Sequence, residues 1–293
     1  MKAKRIMKTP TATARGESRT SYQRTAPWLW LSVAGLVLAV TGSAVALSIR
    51  SIYAGLTPIF LPQALAQDLA NLAIVSPAWL VLVVMALRGS VRAYLLWLGV
   101  LTFTVYNYVI YTFSIPFGPL FLVWVAVLGL CLYSLIGGLA VLDHKSIQLA
   151  YTSRTATRVV AWFLMVTGLL FALLWLSEDV PAVLSGTTPQ AVLDMALPTN
   201  PVHILDLAFF LPAAIATGAL LLGGRPLAYT VAPAFLVFLI LTGIPILLTP
   251  VVQAAGGEAA AWGVTVPIGT LTALLLGILV WQLTTLRFGR RRG

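Results

Sequence analysis

Continuous apolar segments run at roughly 27–49, 69–87, 93–114, 119–142, 158–177, 204–222, 227–250 and 262–286, separated by short stretches of Gly, Pro and charged residues. About 20 apolar residues cross the ~30 Å hydrocarbon core of a bilayer. The pattern therefore predicts an all-α integral membrane protein with eight transmembrane helices and short loops, leaving little chain for a separate catalytic head. Residues 1–26 break the pattern: seven basic residues and one acid, Glu17, stand among Thr, Ser and Gly without apolar periodicity. They read as a disordered basic tail.

Composition agrees, with 60% hydrophobic and 9% charged residues against about 45–50% and about 25% in soluble domains. The placement of charge adds orientation. Of 18 Lys and Arg residues, 17 fall in the tail, the 88–92 turn, the 143–158 loop, the 223–226 turn and the C-terminus; Arg50 alone falls on the other side. The loops on that side carry Asp68, Glu178, Asp179, Asp194 and Glu258. Cytoplasmic loops hold the positive charge, so both termini are expected in the cytoplasm, in a cell membrane. The net charge of +10 follows membrane ends. That fits anionic lipids at the cytoplasmic face and not nucleic acid.

Sliding the chain on itself by 135 residues aligns 68–103 with 203–238 without a gap. Pro77, Gly89 and Tyr94 fall on Pro212, Gly224 and Tyr229. The expected organisation is the basic tail 1–26, a four-helix membrane repeat 27–149, and a second four-helix repeat 150–293 with a basic C-terminus. An even number of spans gives both repeats one orientation, with a pseudo-axis along the membrane normal. Span one has a basic start and an Ala44-Val45-Ala46 end that resemble a cleavable signal; its place in the repeat argues that it is retained.

Polar residues inside spans need a reason, because a carboxylate at the bilayer centre costs about 2.5–3.5 kcal/mol on insertion scales. Asp68 and Asn71, at i and i+3, align with His203 and Asp206. With Asn200 as cap and Pro201 at the first helical position, Asp206 lies about 8–9 Å along span six at 1.5 Å per residue. Span three adds Tyr106, Asn107, Tyr108, Tyr111 and Ser114. One reading is an outward-opening polar pocket lined from spans two, three and six, with Asp206, His203, Asp68, Asn71, Asn107 and Tyr111 as ligand-binding residues. The other has the carboxylates and His203 serving helix starts and loop backbone, with the tyrosines as an interfacial belt. Pro77 and Pro212 sit mid-span and are expected to kink it. His144, beside Asp143 and Lys145, reads as a solvated loop residue.

Duplicated four-helix bundles resemble the haem A synthase architecture, but two histidines on opposite sides leave no pair of axial ligands. Cys131 is the single cysteine, so no thiolate cluster or internal disulfide forms, and no cofactor is expected. A metal-dependent membrane enzyme would need about three ligands, for which His203, Asp206 and Asp68 are the candidates; no HExxH or HxxxH spacing is present. Binding or translocation of a small molecule is the leading expectation, a non-catalytic membrane partner or assembly protein the second, and the metal-dependent enzyme the third. The stretches Tyr106-Asn107-Tyr108, Pro119-Leu120-Phe121-Leu122 and Asn200 to Leu207 resemble a group of functionally uncharacterised bacterial multi-pass membrane proteins. That resemblance implies an inner-membrane location and no particular activity.

Overall fold

Hydrophobic residues on every side of a helix leave it no polar face to offer to water, and long helices of this kind dominate the molecule. A computed structural model describes residues 13–287, with side chains from Arg24 onward. Among the described residues, eight helices are long and apolar enough to cross a membrane: α1 (Arg24–Ser48), α2 (Phe60–Leu87), α3 (Val91–Ser114), α4 (Phe121–Ala140), α5 (Arg154–Ser185), α6 (Pro201–Leu222), α7 (Pro226–Ala255) and α8 (Trp262–Thr284). Of the expected basic tail, residues 1–12 lie outside the described residues, whereas the helix that becomes α1 already begins at Thr13. α1 packs along α4 and against α2.

Three spans are longer than their apolar runs. α2 starts at Phe60, ahead of Gln63 and Gln67; α5 continues through Glu178 and Asp179 to Ser185; α7 continues to Ala255. α2 is extended at its start, and α5 and α7 at their ends. In α2 and α5, polar side chains of the added turns find partners, as described below.

α3 and α7 form the centre. In their most apolar stretches 72% and 56% of residues are buried, against 11% in α8. They cross at Gly99, where an added Cβ would lie 2.5 Å from Val237 Cβ and 2.8 Å from the Ala234 carbonyl oxygen. Small residues let membrane helices approach this closely. α2 packs on α7, and the start of α6 packs on α3.

The two spans with Pro at the matched mid-span positions, α2 and α6, are irregular in the same way. Asn71–Val75 forms a π turn closed by the Ser76 N–H donating to the Asn71 carbonyl, immediately before Pro77. Asp206–Phe210 forms another, closed by the Leu211 N–H on the Asp206 carbonyl, immediately before Pro212. Proline has no N–H to donate, and its ring crowds the carbonyl four residues back. The widened turn absorbs that conflict, and the extra residue rotates the following helix face by about 100°. Both helices then end at turns with a left-handed glycine, Gly89 at φ +89° and Gly224 at φ +64°.

At the basic end, Asp143 caps a short helix, His144–Ala150, by accepting from the Lys145 and Ser146 amides at 3.1 Å. His144 is not the freely solvated loop residue expected: it is half-buried, with Nδ1 2.9 Å from Thr230 Oγ1. Docking of the short helix on α7 creates this environment. Gln148 donates to the Gly224 carbonyl at 2.7 Å, and Tyr151 to the Tyr229 carbonyl at 3.2 Å. The chain after α8 joins the same clasp: the Arg287 N–H donates to the Ala150 carbonyl at 2.8 Å, and Arg92 donates to the Leu286 carbonyl.

Candidate functional site

The π turn in α2 begins at Asn71, and the turn before it carries Asp68 inward. Both are almost fully buried. Asp68 accepts hydrogen bonds from the Tyr53 hydroxyl at 2.5 Å and the Tyr111 hydroxyl at 3.0 Å. Tyr53 belongs to a short 3₁₀ helix, Arg50–Tyr53, that follows α1. Burial, and next the Asp68 carboxylate, push the Tyr53 phenol up from its ordinary pKa, so it remains a donor. Asn71 donates to Ser43 Oγ at 3.3 Å and accepts from Gln67 at 3.0 Å. This cluster joins α1, the connection after it, α2 and α3, and Asp68 makes two neutral-donor bonds to phenols.

A second cluster surrounds the π turn of α6. Asn200 caps the helix as its sequence position requires, accepting from the Val202 and His203 amides at 3.0 and 3.4 Å, with Pro201 in the first turn. His203 turns toward α5: Nδ1 lies 3.0 and 3.1 Å from the two Asp179 carboxylate oxygens, and Nε2 lies 4.0 Å from Glu178. Its ring stacks on Trp175 at 4.3 Å. The Trp175 indole N–H in turn donates to Asp206 at 2.9 Å. The Tyr106 phenol also reaches Asp206, while its ring meets Phe210 edge-on at 4.9 Å. Trp175, Glu178 and Asp179 are at i, i+3 and i+4, and so share a helix face.

The six residues singled out from sequence are all buried, but they do not line one pocket. Asp68, Asn71 and Tyr111 belong to the first cluster; His203 and Asp206 belong to the second. Among the described residues no hydrogen bond joins the two. Asn107 stands apart, with its side-chain amide nitrogen buried and without a hydrogen-bond partner. Tyr106, Tyr108 and Tyr111 are interior residues and not a lipid-facing belt. Trp175, Glu178, Asp179, Tyr53, Gln67 and Ser43 were missed. The spacing Trp175-x-x-Glu178-Asp179 at the end of an apolar run carried a signal, once α5 is allowed to extend past Ser177.

Chemically, the second cluster brings three carboxylates, an indole, a phenol and one imidazole together at the acid-rich ends of α5 and α6. Among the described residues, no group of three His, Cys, Asp or Glu side chains is arranged to hold a metal ion. His203, Asp206 and Asp68 do not converge as that reading required.

Eight membrane-length helices, with α3 and α7 buried at the centre, define a multi-pass membrane protein, for which a lipid bilayer is the natural surroundings. No family model, curated protein or solved structure matches the chain.

Proposed function

We propose that this protein binds a small solute, bearing an amine or similar cationic group, at the acidic end of α5 and α6. The observation that carries the proposal is Asp206, a membrane-embedded carboxylate at a π turn, bonded to Trp175 and facing an interior of aromatic rings. Burying a carboxylate that serves only packing is costly, whereas a carboxylate beside indole and phenol rings is a recognised arrangement for cations. Glu178 and Asp179 extend the acidic surface toward solution, and the His203 imidazole stays hydrogen-bonded to Asp179 until a cation displaces it. The unpartnered Asn107 amide is a spare donor deeper in the bundle.

The architecture supports reading the chain as two tandem four-helix repeats. The π turns at Asn71–Val75 and Asp206–Phe210, and the left-handed Gly89 and Gly224, recur at the sequence offset. Gly99 meets Ala234, its equivalent at that same offset, as residues beside a two-fold axis do. In this reading the first cluster is a sealed counterpart of the second. The basic ends face the cytoplasm of a bacterial inner membrane, and the solute enters from the opposite side. A second reading, a membrane partner or assembly protein, draws on α8, whose largely uncovered apolar surface would suit another membrane helix.

The test is thermal unfolding of the purified protein with a panel of amines and quaternary ammonium ions. Ligand at about 100 times its Kd stabilises by about 2.7 kcal/mol, which raises the midpoint. Asp206→Asn should abolish the rise, and Asp194→Asn, in a half-buried carboxylate paired with Gln190, should keep it. No rise for any cation, or a full rise in Asp206→Asn, overturns the proposal.

A further inference from the structure

The two halves close differently, and the difference leaves a groove. In the first half α1 lies tightly on α4. A Cβ at Gly137 would sit 2.3–2.4 Å from the Trp28 ring, and one at Gly35 would sit 3.1 Å from Cys131 Sγ. At the 135-residue offset, Trp28 becomes Phe163, Gly35 becomes Leu170 and Gly137 becomes Thr272. α4 maps onto α8 less exactly than α1 onto α5, and at these positions α5 and α8 carry Leu and Thr where the first half has glycines. Thr272 instead turns to α7, where its Oγ1 would be 2.4 Å from a Cβ at Gly243. α5 keeps its main packing on α6 and touches α8 far less.

The uncovered stripe on α5 is a shallow, open groove along one helix face, formed by Thr155, Arg158, Val159, Trp162, Phe163 and Val166. Arg158 stands at its mouth on the basic side, and the lining holds no acid. From Arg158 to Val166 is about 12 Å at 1.5 Å per residue, close to the ~15 Å half-thickness of the hydrocarbon core. Charge at the headgroup level above an apolar wall of leaflet depth matches one ligand chemistry. We propose that this groove is a specific site for an anionic phospholipid, its phosphate on Arg158 and the Thr155 hydroxyl, and one acyl chain along Val159, Trp162, Phe163 and Val166. The site is independent of the solute site at the other end of α5, and it needs only that the basic ends lie at a headgroup layer.

The experiment is native mass spectrometry of the full-length protein released from bilayers of equal phosphatidylglycerol and phosphatidylcholine with identical chains. The wild type should retain phosphatidylglycerol in several-fold excess. Arg158→Gln should lose that preference, and Val159→Trp, which fills an exposed wall position, should lower retention of both lipids. Arg225→Gln, a cytoplasmic-end charge away from the groove, should behave as wild type. Equal retention of the two lipids by the wild type overturns the site, as does an Arg225→Gln loss equal to that of Arg158→Gln. A two-chain mass without lipid also overturns it, assigning the groove to a second copy. If Val159→Trp does not fold, the paired Arg158→Gln and Arg225→Gln results still decide.

Discussion

Replacing Gly99 by Ala tests the central crossing of α3 and α7 with a single methyl group. The new Cβ would stand 2.5 Å from Val237 Cβ and 2.8 Å from the Ala234 carbonyl oxygen, where ordinary contact begins at 3.4 Å. The helices must therefore separate by 3.4 − 2.5 = 0.9 Å at one atom and 3.4 − 2.8 = 0.6 Å at the other. Neither obstacle can rotate away, because one is a Cβ and the other is backbone. Overpacking of this kind costs about 1–3 kcal/mol, and rigid neighbours put this site in the upper half. Gly→Ala in a helix returns up to about 1 kcal/mol through backbone propensity, which leaves a net loss of about 1–2 kcal/mol. The control is Gly129→Ala, where nothing lies within 4 Å of the added atom, so that variant should be neutral or slightly stabilised. Val237→Ala in the Gly99→Ala background should not rescue it, since the clashing Cβ remains. Reversible unfolding in mixed micelles, with increasing denaturing detergent, reads all four proteins. A Gly99→Ala variant as stable as Gly129→Ala would refute the close α3–α7 crossing.

Two further outcomes probe the basic end. The Ser146 hydroxyl, then its amide, hold the Asp143 carboxyl below its ordinary 3.8. A depressed folded-state pKa means that the cap is fully formed above that ordinary value and is lost as pH falls through the folded value. The protection of the Lys145 and Ser146 amides from hydrogen exchange, relative to their intrinsic rates at each pH, should fall there, and the Asp143→Ala variant should show no such acid step. For topology, Cys131 is completely buried and should stay silent to maleimide, so single cysteines can be added to the wild-type chain. Ser146→Cys should label only from the cytoplasm, and Asp194→Cys and Glu258→Cys only from outside; external labelling of Ser146→Cys would reverse or break the proposed topology.

The eight spans were legible in the sequence because a bilayer imposes a length and a polarity on any helix that crosses it, and both are local properties. The Asn200 cap with Pro201 and the turn at Gly89 were equally local, each set by a few neighbouring atoms. The inward burial of Asp68 and Asp206 followed from the cost of facing lipid. What hydropathy does not encode is which helix meets which, since every lipid-facing surface looks alike to it. The partners of the buried polar groups therefore came only from tertiary packing: Tyr53 folds back onto Asp68, and α5 presents Trp175 to Asp206 and, from its extension, Asp179 to His203. One expected pocket became two clusters because Asp68 and Asn71 take their partners from α1, the turn after it and α3, whereas His203 and Asp206 take theirs mainly from α5, a choice of neighbours that helical periodicity does not encode. His144 changed from a solvated loop residue to a docked one for a similar reason, since Thr230 is 86 residues away and meets it only when the short helix packs on α7.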